Sequence, residues 1–376
     1  PIDGDVAQGT YPKFIANADG GVTALVNTDG NYKYVGRLVI DFDENGTIVQ
    51  ESYDATVSGA YATDDRGVAD LGAEGYVDPE VQAIADALEA QIIATQGNVF
   101  GVSNVFLNGN RSGVNAADNQ DGVRTQETNL GNLTADANLA YAQKYDDTVL
   151  VSIKNGGGIR SSIGETVVPA GSNEAVRGPN GALYDSDGNV IKPEGGISQA
   201  DIQAALAFNN DLAVITVTRA NLVQVLEHAL AQSPTSAGQF AQVSGIQYSF
   251  DPSQPAGSRI VSAAITDADG NDIDVLVRSG DIVGNADGQI RIVTLGFMAD
   301  GGDGYPFQPI DRMNLDDLNG AGVADEVRDG AAEFADNGTE QDAFAEYLAD
   351  FFATSDSAYD VADVGYGEDD RIQNLA

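Results

Sequence analysis

The feature that most constrains the fold is a strand pattern that runs directly into three consecutive glycines. Residues 148–153 (TVLVSI) form a nearly continuous apolar run, which predicts a strand buried on both faces of a sheet. Residues 155–160 (NGGGIR) follow almost at once. Glycines let the backbone approach a ligand closely, their N–H groups can form an anion nest, and Arg160 offers a fork for phosphate or carboxylate. A glycine turn with a surface arginine remains the alternative.

A second glycine-rich loop also follows a predicted strand. Residues 297–305 read FMADGGDGY and come after the strand pattern of residues 290–295. An aromatic ring and a carboxylate on one loop suit a nucleoside, because Phe297 can stack on a base and Asp303 can accept hydrogen bonds from ribose hydroxyls. The alternative is an Asp/Gly turn beside a phenylalanine of the core.

The first part of the chain alternates apolar segments with turn signals. The strand pattern of residues 34–42, the turn at 43–46 and the strand at 47–49 together predict a β-hairpin. Residues 23–26 predict a further strand of the same meander. The loop composition of residues 109–121 predicts irregular structure.

Helix starts are marked clearly along the chain. Asp78 and Pro79 open a helix predicted over 79–95, with Val81, Ile84, Leu88 and Ile92 along one face. Ser198 and Thr218 are predicted N-caps of two later helices, and another helix begins near Thr339. Strands and helices are therefore mixed after residue 124, which indicates an α+β or α/β domain.

The charge of the chain excludes one class of partner. Its 376 residues carry 58 acidic and 18 basic side chains, a formal net charge of −40. Such a surface repels phosphate backbones, so nucleic acid is not an expected partner, and its self-repulsion is relieved by salt, which suggests a saline source. With no cysteine, disulfides and thiol chemistry are excluded. No run of about 18 apolar residues predicts a membrane span.

Three acidic turns raise the question of calcium. Residues 185–189 and 267–272 have glycine at the fourth position instead of the sixth, so neither forms a complete EF-hand loop, and hairpin turns are the preferred interpretation. Residues 317–322 have their glycine in register but lack acidic ligands at later positions, so they are only a weak calcium candidate.

Four segments, taken in order, resemble the 5'-nucleotidase family. Residues 155–160 match its Asn-Gly-Gly-Gly-Ile-Arg signature, and residues 127–133 (ETNLGNL) resemble its Glu-x-Asn-x-Gly-Asn-Leu helix start. Residues 242–246 (QVSGI) and 301–305 (GGDGY) match two further blocks. Four motifs in family order are far more specific than any one of them. The resemblance covers most of residues 79–373.

The resemblance implies a fold and a domain organisation. The fold class is α+β, a four-layer α/β/β/α 5'-nucleotidase C-terminal domain, preceded by a β-hairpin remnant and a linker helix. Residues 1–75 are expected to be the C-terminal remnant of a metallophosphatase domain, residues 76–115 the linker helix and loop, and residues 116–376 the substrate-binding domain. The metal-binding motifs of that family do not occur in this sequence, and the only histidine, His228, is expected to be structural.

The resemblance also implies roles for individual residues. Arg160 and Arg124 would bind phosphate, Phe208 and Phe297 would sandwich the base, and Asp303 would hold the ribose. The full set of expected substrate-binding residues is Arg124, Asn155, Gly157, Gly158, Arg160, Phe208, Phe297 and Asp303.

Two departures from the family pattern leave the substrate preference open. Gln126 stands where some members have an arginine, and residues 207–210 (AFNN) replace the more usual Pro-Phe-Gly-Asn.

The implied activity belongs to a larger protein. The parent is expected to be a secreted, periplasmic or cell-surface phosphomonoesterase with a divalent metal pair, such as Zn or Mn, in its N-terminal domain. This chain is expected to recognise the nucleotide, to partner that domain, and to be inactive alone. The rival hypothesis is a non-enzymatic acidic surface or matrix module with the same fold, with calcium at its acidic turns.

Overall fold

The computed structural model describes the chain except for residues 1, 3, 4, 8, 19, 31, 112–121, 169–174, 186, 318–329, 331 and 366. Two compact units are present, Pro1–Ala87 and Leu88–Ala376. Within the described residues, no helix combines the length and the apolar character needed to cross a membrane. The loop predicted over 109–121 and the calcium candidate at 317–322 lie largely outside the described residues.

The described residues of the first unit form three small antiparallel sheets of two strands each. The pairs are β1 (Lys13–Ala16) with β2 (Val22–Leu25), β3 (Tyr34–Arg37) with β6 (Gly59–Ala62), and β4 (Asp41–Phe42) with β5 (Ile48–Val49). A short helix, α1 (Asp65–Asp70), follows and is capped by the side chain of Asp64.

The predicted hairpin is present but shorter than its sequence pattern. The turn at residues 43–46 joins β4 to β5 as expected, whereas the predicted strand over 34–42 is divided into β3 and β4, which have different partners. The strand predicted at 23–26 is β2, and it pairs with β1 instead of extending the meander. A nine-residue strand needs a partner of similar length, and β5 offers only two residues.

The helix predicted from residue 79 is α2 (Pro79–Gly97), and the Asp78 carboxylate accepts hydrogen bonds from the first-turn N–H groups of Glu80 and Val81. Its expected apolar face is exposed along its whole length, since none of the residues of α2 is buried. The periodicity therefore identified the helix but not a packing partner.

Two five-stranded sheets form the second unit. The first sheet has the order β15-β8-β20-β14-β21 and the second the order β19-β18-β17-β16-β22. The strands of the first sheet are β8 (Val151–Asn155), β14 (Leu212–Thr218), β15 (Ala241–Ser244), β20 (Gln289–Leu295) and β21 (Asp311–Asn314). Those of the second are β16 (Ile246–Phe250), β17 (Ile260–Thr266), β18 (Asp272–Arg278), β19 (Asp281–Ile282) and β22 (Ile372–Asn374).

Three smaller strand pairs also occur among the described residues of this unit. They are β7 (Val99–Val102) with β13 (Gly196–Ser198), β9 (Glu165–Val167) with β10 (Val176–Gly178), and β11 (Leu183–Tyr184) with β12 (Val190–Lys192).

In the part of the second unit that the structure describes, the helices are α3 (Asn129–Gln143), α4 (Gln199–Ala205), α5 (Arg219–Leu230), α6 (Gly296–Ala299) and α7 (Glu340–Phe351). The helix predicted to begin near Thr339 is α7. Ser198 forms a capping box with Asp201, and the Thr218 side chain caps α5, which confirms both predicted helix starts.

The strand predicted over 148–153 is β8 (Val151–Asn155), which lies inside the first sheet but begins three residues later and ends two residues later than predicted. All five residues of β8 are buried, and β8 pairs with β20 in parallel and with β15 in antiparallel orientation. Helix α3 packs on this sheet, while α5 contacts β14 and β15 of the first sheet and β18 of the second. The α+β class is confirmed, and the four-layer order stays a prediction.

Candidate functional site

Strand β8 ends at Asn155, and the glycines that follow turn the chain at the end of the first sheet. Residues Gly156–Gly158 form one turn of 3₁₀ helix. A side chain at Gly156 would place its Cβ 1.8 Å from the carbonyl oxygen of Val123. Glycine is therefore required at this position because the backbone of another segment occupies the space of a side chain.

Two of the three glycine N–H groups are not free to form the predicted anion nest. The Gly156 N–H donates to the carbonyl oxygen of Phe240 at 2.7 Å, and the Gly157 N–H donates to that of Gly238 at 2.8 Å. Two of the three N–H groups are thus committed to backbone acceptors. The prediction of an anion nest was wrong for this reason, and close packing explains these glycines better.

The backbone and the guanidinium of Arg160 are both held by hydrogen bonds to backbone carbonyl oxygens. Its N–H donates to the carbonyl oxygen of Ala205 at 2.7 Å, and its Nη1 donates to that of Gly157 at 3.2 Å. The guanidinium carbon lies 5.2 Å from the centre of the Phe208 ring, within the range of a cation–π contact. Arg160 therefore connects the glycine turn to the loop that carries Phe208.

Arginines gather beside this turn in a chain that is otherwise strongly acidic. Burial lowers the pKa of Arg124, and the positive charges of Arg111 and Arg160 lower it further, whereas Asp303 has the opposite effect. An arginine stays charged under these conditions. The result is a local positive patch that suits an anion.

Asp303 reaches the same place from the loop after β20. Its backbone is left-handed, with φ of +52°, which is uncommon for a residue other than glycine. Nδ2 of Asn155 donates to its carboxylate at 2.6 Å, and Nε2 of His228 donates to its backbone carbonyl at 2.9 Å. The expected structural role of His228 is thus to hold the main chain at Asp303.

The two phenylalanines of the prediction are both exposed to solvent. Phe208 is 61% and Phe297 is 47% exposed. The Phe297 ring lies over Gly302, where an added Cβ would be 2.4 Å from the ring. Large apolar side chains left in water beside a cavity are more typical of a binding surface than of a core.

These features surround one cavity of about 240 Å³. All eight residues expected from the sequence line it, and Asn210 and Gly238 complete the lining. The ten lining residues are Arg124, Asn155, Gly157, Gly158, Arg160, Phe208, Asn210, Gly238, Phe297 and Asp303.

Some residues around the cavity were not anticipated. Asn210 and Gly238 line it, and Arg111 adds a third positive charge. Asn210 lies in the same four-residue block as Phe208, so its position in the sequence was a usable signal. Gln126, by contrast, is buried outside the lining, where its Nε2 donates to the Val364 carbonyl at 3.5 Å.

A second cavity of the same volume lies on the second sheet. Its lining includes the side chains of Gln247, Asp272, Arg278 and Asp370, with neither a glycine-rich turn nor a stacked arginine and phenylalanine. The two cavities have the same volume but differ in their chemistry. Only the first of the two brings exposed aromatic rings, arginines and a hydrogen-bonded carboxylate together.

The acidic turns that begin at Asp185 and Asp267 are hairpin turns, which was the preferred interpretation of their sequences. The Asp185 carboxylate accepts from the N–H groups of Asp187 and Asn189, and the Asp267 carboxylate accepts likewise in the turn between β17 and β18. The side-chain amides of Asn189 and Asn271 also donate to these carboxylates and lower the pKa of Asp185 and of Asp267 most, and the backbone N–H groups lower it further. Among the residues that the structure describes, no group of three or more His, Cys, Asp or Glu is arranged to hold a metal ion.

Comparison with known proteins agrees with this geometry. Residues 101–309, more than half of the chain, match the family described as 5'-nucleotidase, C-terminal domain. The chain is 26% identical over 275 residues to the trifunctional nucleotide phosphoesterase protein YfkN of Bacillus subtilis, covering 73% of this chain and 15% of that protein. It is 25% identical over 319 residues to a snake venom 5'-nucleotidase of Gloydius brevicauda, covering 84% and 45%.

Another curated relative and one solved structure are also named as 5'-nucleotidases. A 5'-nucleotidase of Homo sapiens is 25% identical over 315 residues, covering 81% of this chain and 45% of that protein. The crystal structure of a 5'-nucleotidase precursor from Thermus thermophilus matches 100% of this chain and 56% of its own, with a TM-score of 0.52 and 24% identity, which supports the fold. The chain spans less than half the length of these curated relatives. It belongs to the 5'-nucleotidase C-terminal domain family.

Proposed function

We propose that the cavity recognises a nucleoside phosphate. The observation that carries this proposal is that two exposed phenylalanines, two arginines and the Asp303 carboxylate line a single cavity. Each group matches one part of such a ligand: an aromatic face for the base, a carboxylate acceptor for the ribose hydroxyls and guanidinium groups for the phosphate. The site residues implied by the family resemblance are the same residues.

The binding roles follow from the chemistry of each side chain. The base stacks on the rings of Phe208 and Phe297, and the ribose donates to Asp303. The phosphate is bound by Arg160 and Arg124. The Arg160 guanidinium already lies against the Phe208 ring, so one wall of the cavity carries both a group for the phosphate and a group for the base.

We further propose that this region serves a metal-dependent phosphomonoesterase. Related proteins are named 5'-nucleotidases or nucleotide phosphoesterases, and all of them are longer than this chain. The divalent metal pair would belong to a metallophosphatase domain, where it would activate water and neutralise charge on the phosphate. The residues of this chain would bind and orient the substrate for that step.

The domain organisation and the location are part of the same proposal. Residues 1–75 are assigned to the end of the metallophosphatase domain, residues 76–115 to the linker, and residues 116–376 to substrate binding. A secreted, periplasmic or cell-surface location suits hydrolysis of extracellular nucleotides, and the charge of −40 suits a saline environment.

A titration tests the binding proposal directly. Adenosine and adenosine monophosphate are titrated into the protein by calorimetry, and the dissociation constant is measured for the wild type, Phe208→Ala and Phe297→Ala. Loss of one ring is expected to cost about 1–3 kcal/mol of binding. Phe351→Ala, at an exposed phenylalanine of α7 that does not line the cavity, is the matched control.

Two outcomes would each decide against one part of the proposal. If the wild type binds neither ligand at millimolar concentration, the non-enzymatic acidic module becomes the better description, and a calcium titration would test it next. If this chain alone hydrolyses adenosine monophosphate with added Mn²⁺ or Zn²⁺, the expectation that it is inactive without its partner domain is wrong.

A further inference from the structure

A buried ion pair lies directly behind the cavity. Nζ of Lys154 and Oε2 of Glu340 are 2.9 Å apart, and both side chains are fully buried. Lys154 precedes Asn155 on β8, and Glu340 is the first residue of α7. Burying two charges is costly, and an apolar pair of similar size often serves stability as well or better. We therefore expect the pair to have a role other than stability.

The second carboxylate oxygen of Glu340 points to that role. Oε1 of Glu340 accepts hydrogen bonds from the backbone N–H of Asn210 at 3.1 Å and from its side-chain Nδ2 at 2.8 Å. The backbone N–H of Glu340 donates in return to the carbonyl oxygen of Asn210 at 2.9 Å. Asn210 lines the cavity. One carboxylate thus binds the buried lysine and a residue of the cavity wall at the same time.

The neighbouring residue of the helix holds the other end of the same loop. The Gln341 N–H donates to Oδ1 of Asn209 at 3.2 Å, and its Nε2 donates to the carbonyl oxygen of Leu206 at 2.8 Å. Asn209 has φ of +46°, a conformation that is uncommon without such support. The first two residues of α7 therefore hold the loop of residues 206–210 on both sides of Phe208.

We propose that Lys154 and Glu340 are positioning residues, which fix the Phe208 loop through Asn210 so that its ring is held for stacking on a ligand. The lysine locks one carboxylate oxygen, so that the other is presented to Asn210 in one orientation. On the other side, Lys154 is followed by Asn155, whose amide donates to Asp303. The pair thereby links the wall that carries Phe208 to the residue that contacts Asp303. Its effect on affinity rests on the proposed nucleoside recognition.

The absence of tryptophan from the sequence permits a reporter that does not depend on ligand binding. In a Phe208→Trp background the only tryptophan reports the mobility of the loop through its fluorescence anisotropy. The double variant Lys154→Met/Glu340→Leu removes both charges and the acceptor for Asn210. The anisotropy is expected to fall and the adenosine dissociation constant, measured with Phe208 present, to rise about tenfold.

The matched control lies on the same helix. Nζ of Lys144 and Oε2 of Glu346 are also 2.9 Å apart and join α3 to α7 without contacting residues 206–210 in the hydrogen bonds described above. Lys144→Met/Glu346→Leu is expected to leave the anisotropy and the affinity unchanged. Lys154→Met/Glu340→Gln, which keeps an acceptor for Asn210, is expected to restore part of both.

The outcomes separate this inference from the proposed function. Equal losses of thermal stability in both double variants, with no change in anisotropy in either, would overturn the positioning role. A fall in anisotropy confined to the Lys154/Glu340 variant supports it even if the wild type binds no nucleoside, in which case only the proposed function fails. Should the double variant not fold, Asn210→Ala keeps the ion pair and removes only the side-chain hydrogen bond to Glu340, so it is expected to give a smaller fall in anisotropy, and no fall would overturn the inference.

Discussion

The side-chain amide of Asn155 donates a 2.6 Å hydrogen bond to the carboxylate of Asp303, a residue that lies 148 positions further along the chain. The bond joins the glycine turn after β8 to the loop after β20. It holds a carboxylate beside exposed aromatic rings and arginines, and it leaves that carboxylate at the wall of the cavity. The relation explains how two loops that are distant in sequence come to line one cavity.

Replacing Asp303 is expected to weaken nucleoside binding through the ribose. Asp303→Asn keeps the size of the side chain but removes its charge and one acceptor, so the adenosine dissociation constant should rise about tenfold or more. Calorimetry with adenosine and 2',3'-dideoxyadenosine measures the effect, and the variant should no longer prefer adenosine. Asp300→Asn, at an exposed residue nearby that pairs with Arg312, is the control. An unchanged preference would contradict the assigned role.

A methyl group at Gly302 should displace the Phe297 ring. The added Cβ would lie 2.4 Å from the ring, which is too close for the two to coexist. Gly302→Ala is therefore expected to raise the adenosine dissociation constant about as much as Phe297→Ala does. Gly178→Ala is the control, since a Cβ there meets nothing within 4 Å. If Gly302→Ala binds adenosine like the wild type, Phe297 does not contribute to stacking.

The arginine patch should distinguish a nucleotide from its nucleoside. Arg124→Met is expected to raise the dissociation constant of adenosine monophosphate by about tenfold or more, since hydrogen bonds to charged groups contribute about 1.5–3 kcal/mol. The dissociation constant of adenosine should hardly change, because it carries no phosphate. Arg278→Met, on the second sheet, serves as the control. Parallel losses for both ligands would show that Arg124 does not act on the phosphate.

Stability should decrease from about pH 4 to pH 8 because of a buried carboxyl. Burial raises the pKa of Asp369 to about 8, with the negative charge of Glu127 contributing next. The folded state then holds a proton that the unfolded state releases near pH 4, so the contribution to stability is lost as pH rises through the folded value. Asp369→Asn should raise the melting temperature at pH 8 and reduce the difference between pH 5 and pH 8. Asp360→Asn, at an exposed residue, should do neither.

Salt should stabilise the folded chain. A net charge of −40 repels itself, and the screening length falls from about 10 Å at 0.1 M to about 3 Å at 1 M. The melting temperature in sodium chloride is therefore expected to rise between these concentrations. The experiment uses a chloride salt because sulfate stabilises proteins by exclusion from their surface, which would hide the effect of charge screening. A flat or falling curve would remove the support for a saline environment.

Much of the fold could be predicted because its signals are local. The N-caps Ser198 and Thr218 and the buried strand before the glycines are written in a few neighbouring residues, and all of them are confirmed. The strand over 34–42 was predicted too long, because its pairing depends on partners outside the segment. The apolar face of α2 was predicted from periodicity, which cannot say whether a partner covers it.

The candidate site likewise includes residues that the sequence identified and residues that it did not. Family-like motifs identified Arg160, Phe208, Phe297 and Asp303, and these four residues line one cavity. The supporting residues were missed, since a lysine inside a strand carries no visible sign of its partner. Glu340 lies 186 positions away from Lys154, and only the packing of α7 behind β8 brings them together.

The sequence by itself determined the strand that leads into the glycines, the caps and the turns, because each depends on backbone preferences within a few residues. It also determined, through residues 155–160, that the glycines are needed. Only the tertiary structure decided what they are needed for: a Cβ at Gly156 would collide with the Val123 carbonyl oxygen, and the N–H groups of Gly156 and Gly157 bind backbone carbonyls instead of an anion. It likewise decided the neighbours of Asn155, because contacts between distant segments depend on how the sheets and helices pack.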